Sequence, residues 1–111
     1  MAQVTWTIKA VEQVEQIGSF IEKDSPFQAR RVVRLIITET RKLKEHPRIG
    51  KMIPEVQEDR YRELRVFSYR ILYKIIDEGR IAIVGVVHGS RLFDPQWLEA
   101  QAHNLKCPKQ G

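Results

Sequence analysis

The chain has 111 residues, of which 42% are hydrophobic and 30% charged, and its 19 lysines and arginines outnumber 14 aspartates and glutamates to give a net charge of +5. This size fits one domain with a single core, and the hydrophobic content excludes a wholly disordered chain. There is no apolar run of the roughly 18 residues that cross a membrane, no secretory signal pattern, and only one cysteine, Cys107, so we expect a cytoplasmic protein without an internal disulfide.

The N-terminal half has the pattern of one strand and two helices. Residues 4–9, VTWTIK, alternate apolar and polar types and predict a strand. Apolar residues then recur every three or four positions along residues 10–21 and again along residues 29–43, as on one face of a helix. Ser25 is a good N-cap and Pro26 suits the first position of the second helix. The short connection between the two helices predicts an antiparallel hairpin.

The C-terminal half has the pattern of three strands and a short helix. YRELRV and YRILYKII predict two strands with the loop FS between them. After the turn signal DEGR, the nearly all-apolar IAIVGVVH predicts a central strand. DPQWLEAQAH predicts a helix with Asp94 as N-cap and Pro95 at its first position.

Strands and helices are segregated along the chain, which predicts an α+β domain. We expect an N-terminal strand, an antiparallel helical hairpin packed on a mostly antiparallel four-stranded sheet, and a short C-terminal helix. The stretch KMIPEVQEDR is expected to be a loop with at most one short extended piece. Residues 1–105 are predicted to form the single domain, and residues 106–111 a flexible tail.

The charged residues of the first hairpin are predicted to share one face of the sheet. If FS is a two-residue loop, Arg65 faces Arg70, and Glu63 lies on the same side because side chains repeat every second residue. With Lys74 they are expected to occupy the open face of the sheet. The apolar side chains of these strands take the other face, which would pack on the helices.

The position of His88 depends on the register of the second hairpin. If Asp77 faces Arg80, then Arg70 faces a valine and His88 falls on the side of Tyr69. A one-residue bulge would reverse this arrangement and put His88 beside Arg70. The sequence leaves both registers open.

Three arginines are expected to cluster near the end of the central strand: Arg65, Arg70 and Arg91, with His88 as a conditional member. Such a cluster can hold a phosphate by paired, charge-assisted hydrogen bonds and can stabilise the charge that develops during RNA cleavage. Glu63 or His88 could then act as general base or acid. The alternative is that Glu63 only neutralises the arginines across a solvated face, and that His88 only ends a strand.

PRIGKMIPE, YRELRVFSYRILYKI and IAIVGVVHGSR together, in this order and spacing, resemble the RelE/ParE superfamily. The resemblance runs from Val4 to about Arg91 and covers the order of elements. It implies a toxin of a bacterial type II toxin–antitoxin module, held inactive by a cognate antitoxin. Within this superfamily, RelE-like members cut messenger RNA in the ribosomal A site, and ParE-like members poison DNA gyrase.

For the nuclease branch, the resemblance implies roles for particular residues. Arg70 and Arg91 match arginines that act on the scissile phosphate. Other family nucleases use a glutamate with a histidine, for which Glu63 and His88 are loose candidates.

The sequence also departs from the nuclease pattern. Nucleases of the family can have two lysines in the strand that here reads YRELR, and only Arg62 is equivalent to one of them. They also have a tyrosine a few residues beyond the second arginine, where this chain has the region of Trp97. These departures favour gyrase inhibition, with a metal-free, ribosome-dependent RNA endonuclease as the alternative and a non-toxic basic binding module as a third hypothesis.

The expected partners are the cognate antitoxin and either DNA gyrase or the ribosome with its messenger RNA, in a homodimer or a toxin–antitoxin hetero-oligomer. No cofactor, metal or membrane is expected, because the chain has no metal-ligand spacing and no glycine-rich phosphate loop. The basic second helix could dock an acidic antitoxin segment or nucleic acid, or could simply be a solvated face. Its cationic residues are Arg30, Arg31, Arg34, Arg41, Lys42 and Lys44.

Overall fold

Five strands and three α-helices make up the part of the chain that the computed structural model describes, residues 1–91 and 93–103. The predicted flexible tail, 106–111, and the predicted domain end at residue 105 lie outside these residues. None of the helices in the described part is long and apolar enough to cross a membrane. The elements in chain order are β1 (Gln3–Trp6), α1 (Ile8–Glu22), α2 (Pro26–Arg41) with a 3-10 turn (Lys42–Lys44), β2 (Lys51–Met52), β3 (Tyr61–Val66), β4 (Tyr69–Asp77), β5 (Arg80–His88) and α3 (Pro95–His103).

The strands form one sheet in the order β1-β5-β4-β3-β2, in which β1 runs parallel to β5 and the other pairs are antiparallel. The α+β class and the mostly antiparallel sheet were predicted correctly, but the sheet has five strands and not four. The additional strand is β2, in which Lys51 pairs with Glu63 and Met52 with Arg62. It is the short extended piece that the sequence allowed in KMIPEVQEDR, but two residues are too few to show a period, so it was not counted as a strand of the sheet.

The local signals at the helix starts were predicted correctly. The Ser25 side chain accepts a hydrogen bond from the Gln28 N–H at 3.2 Å, and the Asp94 carboxylate accepts one from the Gln96 N–H at 2.8 Å. The predicted first strand was too long, because β1 ends at Trp6. The next residue, Thr7, accepts a hydrogen bond from the Ala10 N–H at 3.1 Å and caps α1 instead of continuing the strand.

The helical hairpin covers one face of the sheet, as predicted. The first core lies between α1, α2 and this face, and the inward apolar side chains of β3 and β4 take part in it. Its buried members include Val14, Val32, Ile36, Val66, Ile71, Tyr73, Ile75 and Ile83.

A second core lies on the opposite face of the sheet, which is therefore not open as predicted. Helix α3 and the segment after β2 pack on this face, because Trp97 and Leu98 of α3 bring apolar area to the buried residues of β4 and β5. The buried members are Ile53, Tyr61, Leu72, Ala82, Val84, Val87, Leu98 and Ala102. The charged residues assigned to an open face consequently border a core.

Both hairpins have the register that the simplest turn predicts at their ends. Arg65 pairs with Arg70 across the two-residue loop of the first hairpin. In the second hairpin Asp77 pairs with Arg80, and Arg70 pairs with Val87. Two irregularities interrupt this ladder, one on each strand, and they cancel, so the register near the strand end is the same as without them.

Candidate functional site

Arg70 lies at the centre of a buried network of ion pairs. Its guanidinium donates to both oxygens of Glu55, Nη1 to Oε2 and Nη2 to Oε1, each at 2.8 Å. It also donates to Oε1 of Glu63, from Nη2 at 2.6 Å and from Nε at 3.2 Å. The side chains of Arg70, Glu63 and Glu55 are 4%, 0% and 16% exposed. One guanidinium is therefore held by two carboxylates out of contact with bulk water.

Strand order explains why these groups meet. Glu63 on β3 and Arg70 on β4 point to the α3 side of the sheet, two residues apart in register, since Arg70 pairs with Arg65 and Glu63 with Leu72. Glu55 reaches the same place from the segment between β2 and β3. Phe93 lies over the guanidinium, 5.2 Å from ring centroid to Cζ, and closes the network from above.

The hydrogen bonds shift the ionisation of both partners in the direction of the charged forms. The hydrogen bonds from Arg70 lower the pKa of Glu55 below its ordinary value of 4.5. The hydrogen bonds to Glu55, followed by those to Glu63, raise the pKa of Arg70. Both changes outweigh the desolvation that opposes them, so Glu55 and Arg70 are charged at neutral pH.

Arg65 lies at the rim of this network. Its Nε is 3.4 Å from Glu63 Oε2, an oxygen that has no hydrogen-bond partner among the described residues, and its side chain is 52% exposed. The Arg65 guanidinium crosses close over Gly89, where a Cβ would lie 2.9 Å from Nη1. The backbone of Gly89 also donates to the Ser68 carbonyl at 2.6 Å, which ties the end of β5 to the first hairpin. A side chain at residue 89 would displace the Arg65 guanidinium and would bring its Cβ to 3.1 Å from the Ser68 carbonyl oxygen.

His88 does not join the arginines. It pairs with Tyr69 at the end of β5 and contacts that ring edge-on, with 5.8 Å between ring centroids. Its Nδ1 is 2.7 Å from Ser90 Oγ. Because Tyr69 belongs to the helical side of the sheet, His88 lies on the opposite side from Arg70. Of the two registers left open by the sequence, the structure has the one without a net bulge.

Arg91 meets the network through its backbone and not through its guanidinium. Its carbonyl oxygen accepts a hydrogen bond from Arg70 Nη1 at 3.4 Å. Its exposed side chain lies over the Trp97 ring, with Cζ 5.8 Å from the centroid. The expected cluster is thus brought together for Glu63, Arg65 and Arg70, and only in part for Arg91.

Glu55 is the residue that sequence reasoning missed. It stands in a stretch predicted to be a loop and was given no role. Charge balance could have indicated it, because one glutamate cannot neutralise a face with several arginines, and a buried arginine requires full pairing. The short motif PRIGKMIPE ends at this residue.

The arrangement limits what Arg70 can do chemically. An anion that bound its guanidinium would have to displace Glu55, since both carboxylates already occupy its donors. Arg65 and Arg91, which border the network, have exposed side chains. Within residues 1–91 and 93–103, no group of three or more His, Cys, Asp or Glu side chains is placed to hold a metal ion.

The fold is thus a helical hairpin on one face of a five-stranded, mostly antiparallel sheet, with Arg65 and Arg70 paired across β3 and β4. A family model described as the ParE toxin of type II toxin–antitoxin systems, parDE, matches residues 4–93. The chain belongs to this family and is the toxin of a type II toxin–antitoxin system, which implies a cognate antitoxin as partner. The resemblance inferred from the sequence is confirmed.

Two relatives agree with this assignment, and one solved structure shares the fold. The chain is 34% identical over 86 residues to the protein Y4kP of Sinorhizobium fredii, covering 78% of this chain and 88% of that protein. It is 30% identical over 92 residues to Toxin RelE2 of Caulobacter vibrioides, covering 83% of this chain and 100% of that protein. A chain in the structure titled "Chromosomal ParDE TA system from P. aeruginosa" has the same fold, with a TM-score of 0.65, 19% identity, and coverage of 79% and 96%.

Proposed function

We propose that this toxin arrests growth by inhibiting DNA gyrase and not by cutting messenger RNA. The observation that carries the proposal is the pairing of Arg70 with two carboxylates in a buried position. Arg70 is one of the two arginines, with Arg91, that the resemblance to the nucleases assigns to the scissile phosphate. Its guanidinium is already neutralised within the fold.

Phosphate binding at Arg70 would be costly. A phosphate would have to enter beneath Phe93 and replace Glu55, and Glu63 would remain beside it with its own negative charge. Like charges at such distances repel strongly when little water screens them. A guanidinium that serves catalysis must instead be free to meet the charge that develops in the transition state.

The groups that would move protons are also poorly placed for RNA cleavage. Glu63 is fully buried and accepts two hydrogen bonds from Arg70, so its carboxylate is committed to that arginine. His88 faces the helical side of the sheet. Together with the missing lysines of the third strand and the missing tyrosine, this supports inhibition by protein binding.

The test is gyrase supercoiling with purified enzyme and plasmid, in the absence of ribosomes. The purified toxin is expected to reduce supercoiling and to accumulate cleaved plasmid after protein is removed, because a poison traps the broken DNA intermediate. Human or bacterial topoisomerase I on the same plasmid serves as the specificity control. The proposal would be overturned if gyrase kept its normal activity in the presence of the purified toxin, although expression of the same toxin stops growth.

A second candidate is ribosome-dependent RNA cleavage, and the rim of the network is what favours it. Arg65 and Arg91 are exposed, and the free oxygen of Glu63 lies beside Arg65. In that case Arg70 would position Glu63, and the catalytic candidates Glu63, Arg65 and Arg91 would act at the rim, with His88 outside it.

Primer extension on a defined message in a bacterial cell-free translation reaction separates the two candidates. New cuts inside the reading frame that require ribosomes, and that disappear in the double variant Arg65→Ala/Arg91→Ala, would establish the nuclease. These two exposed residues are better test positions than Arg70, because their replacement leaves the buried ion pairs in place. Intact message with undisturbed translation would exclude the nuclease.

A further inference from the structure

The tip of the hairpin between β3 and β4 has a costly conformation. Phe67 is the first residue of the two-residue loop and has a φ of 53°. Among the described non-glycine residues, only Gln57 and Phe67 have a positive φ. A bulky side chain is strongly disfavoured there, and glycine is the residue preferred at the first loop position of such hairpins. The chain thus keeps a phenylalanine where the backbone favours glycine.

The core does not explain this choice, because the Phe67 side chain is 55% exposed. The ring lies against the guanidinium of Arg31 on α2, whose Cζ is 5.6 Å from the centre of the ring. Strain that is kept at an exposed side chain is typical of functional positions, where the cost is offset by an interaction with a partner.

Arg31, which contacts the Phe67 ring, also lines a cavity along α2. This cavity has a volume of about 440 Å³ and is lined by Phe27, Arg30, Arg31, Arg34 and Leu35. Phe27 is 64% exposed. We call Phe67 and the five cavity residues the tip surface. It joins two exposed aromatic rings to three arginines.

The charge of the tip surface indicates the charge of its partner. Three of its six residues are arginines and none is acidic. The acidic residue of α2, Glu39, lies more than one turn beyond the cavity and is paired with Lys42 at 2.8 Å. A partner that covers this surface therefore has to supply carboxylates or another anion.

The shape of the tip surface favours a protein over a nucleic acid. The cavity is walled by Phe27, Leu35 and the stems of arginines, so it suits an aliphatic or aromatic side chain better than the polar edge of a base. Exposed aromatic residues and arginines are also the residue types that contribute most at protein interfaces. A partner with carboxylates around an apolar side chain matches both features.

We infer that Phe67 is the anchor by which the toxin binds an acidic, apolar-centred surface of DNA gyrase, with Arg31 and the cavity of α2 beside it. This inference rests on the proposed function and names the toxin's side of the contact. The Phe67 ring at the hairpin tip is 55% exposed, so it offers apolar area that a partner can cover. The antitoxin is the competing occupant, because a helical segment could also enter the cavity of α2, and the neutralisation assay separates the two.

The test uses Phe67→Gly in the full chain, with Phe20→Ala as the matched control. Glycine relieves the positive φ, so the melting temperature is expected to stay unchanged or to rise. The toxin concentration for half-inhibition of gyrase supercoiling is expected to rise by about tenfold or more, as for loss of an interface anchor. Phe20 on α1 is exposed to a similar degree, 68%, and its replacement should leave inhibition unchanged.

Each other outcome is decisive. If wild-type toxin and Phe67→Gly inhibit gyrase equally, the inference fails and the proposed function stands. If wild-type toxin has no effect on gyrase, the proposed function fails and the inference fails with it. A Phe67→Gly variant that still inhibits gyrase, but escapes neutralisation by the antitoxin or loses affinity for a single-stranded oligonucleotide, would assign the tip surface to that partner and overturn the inference.

Discussion

Replacing Arg70 by alanine should destabilise the fold severely and not merely alter a site. The substitution removes the only guanidinium that Glu55 and Glu63 are seen to share, with four hydrogen bonds between 2.6 and 3.2 Å. Glu63 is fully buried and keeps only a contact of 3.4 Å to Arg65. Its charge would then be left in a poorly hydrated place.

The magnitude follows from the burial of the pair. Removing one partner of a buried ion pair costs about 3–5 kcal/mol, because the other partner remains charged and unpaired. The Arg70 side chain is 4% exposed, so solvent screening reduces this value little. The free energy of unfolding of a domain of this kind is about 5–15 kcal/mol, so the substitution would remove a large part of it.

Arg65→Ala is the matched control, since Arg65 pairs directly with Arg70 across the hairpin and contacts the same glutamate. Arg65 is 52% exposed, so its pair with Glu63 should contribute no more than about 1 kcal/mol. Urea unfolding of both variants, followed by far-UV circular dichroism at pH 7, gives the comparison. If Arg70→Ala costs no more than Arg65→Ala, the network does not stabilise the fold as argued.

This prediction also bears on function. A loss of activity in Arg70→Ala would not identify a catalytic arginine, because an unfolded toxin is inactive against any target. Activity in variants of this network has therefore to be compared with their folded fraction at the assay temperature. The exposed positions Arg65 and Arg91 avoid this difficulty.

Further predictions concern acid stability and a buried hydroxyl. Arg70 holds the pKa of Glu55 below its ordinary 4.5, so this carboxylate stabilises the fold above that pH, and the contribution is lost as pH falls through the lowered pKa. Glu55→Gln should therefore flatten the dependence of the free energy of unfolding on pH, measured by urea unfolding between pH 7 and pH 3. An unchanged pH dependence would contradict the assignment. Tyr73→Phe should lower the free energy of unfolding by about 1–3 kcal/mol, because the buried Gly50 N–H would lose its partner. The Tyr73 hydroxyl accepts a hydrogen bond from this N–H at 3.0 Å and donates one to the Pro47 carbonyl at 2.8 Å. An unfolding midpoint equal to that of wild type would contradict this prediction. Gly50→Ala should lower the thermal midpoint, since its Cβ would lie 2.6 Å from the Glu63 carbonyl oxygen and 2.7 Å from the Tyr73 hydroxyl. The loss should persist in the Tyr73→Phe background, because the contact with the backbone oxygen remains there, and a full rescue by Tyr73→Phe would contradict this assignment.

The sequence by itself determined the features that depend on neighbouring residues. Ser25 and Asp94 start helices as predicted because a cap is a hydrogen bond to a residue two or three positions away. The pairing of Arg65 with Arg70 follows from a loop of two residues, and side-chain alternation then puts Glu63 on the same face. The superfamily was recognised from the same local strings.

The tertiary structure decided which face of the sheet is buried and what the arginines contact. Helix α3 and the segment with Glu55 are distant in sequence from β4, and their packing turned a face predicted to be open into a second core. The short strand β2, only two residues long, likewise forms because β3 offers it an edge. Periodicity reports which side chains share a face, but it does not report what covers that face, since the covering elements come from elsewhere in the chain. For this reason the sequence could place Arg70 beside Glu63, whereas only the folded chain could enclose it between two carboxylates.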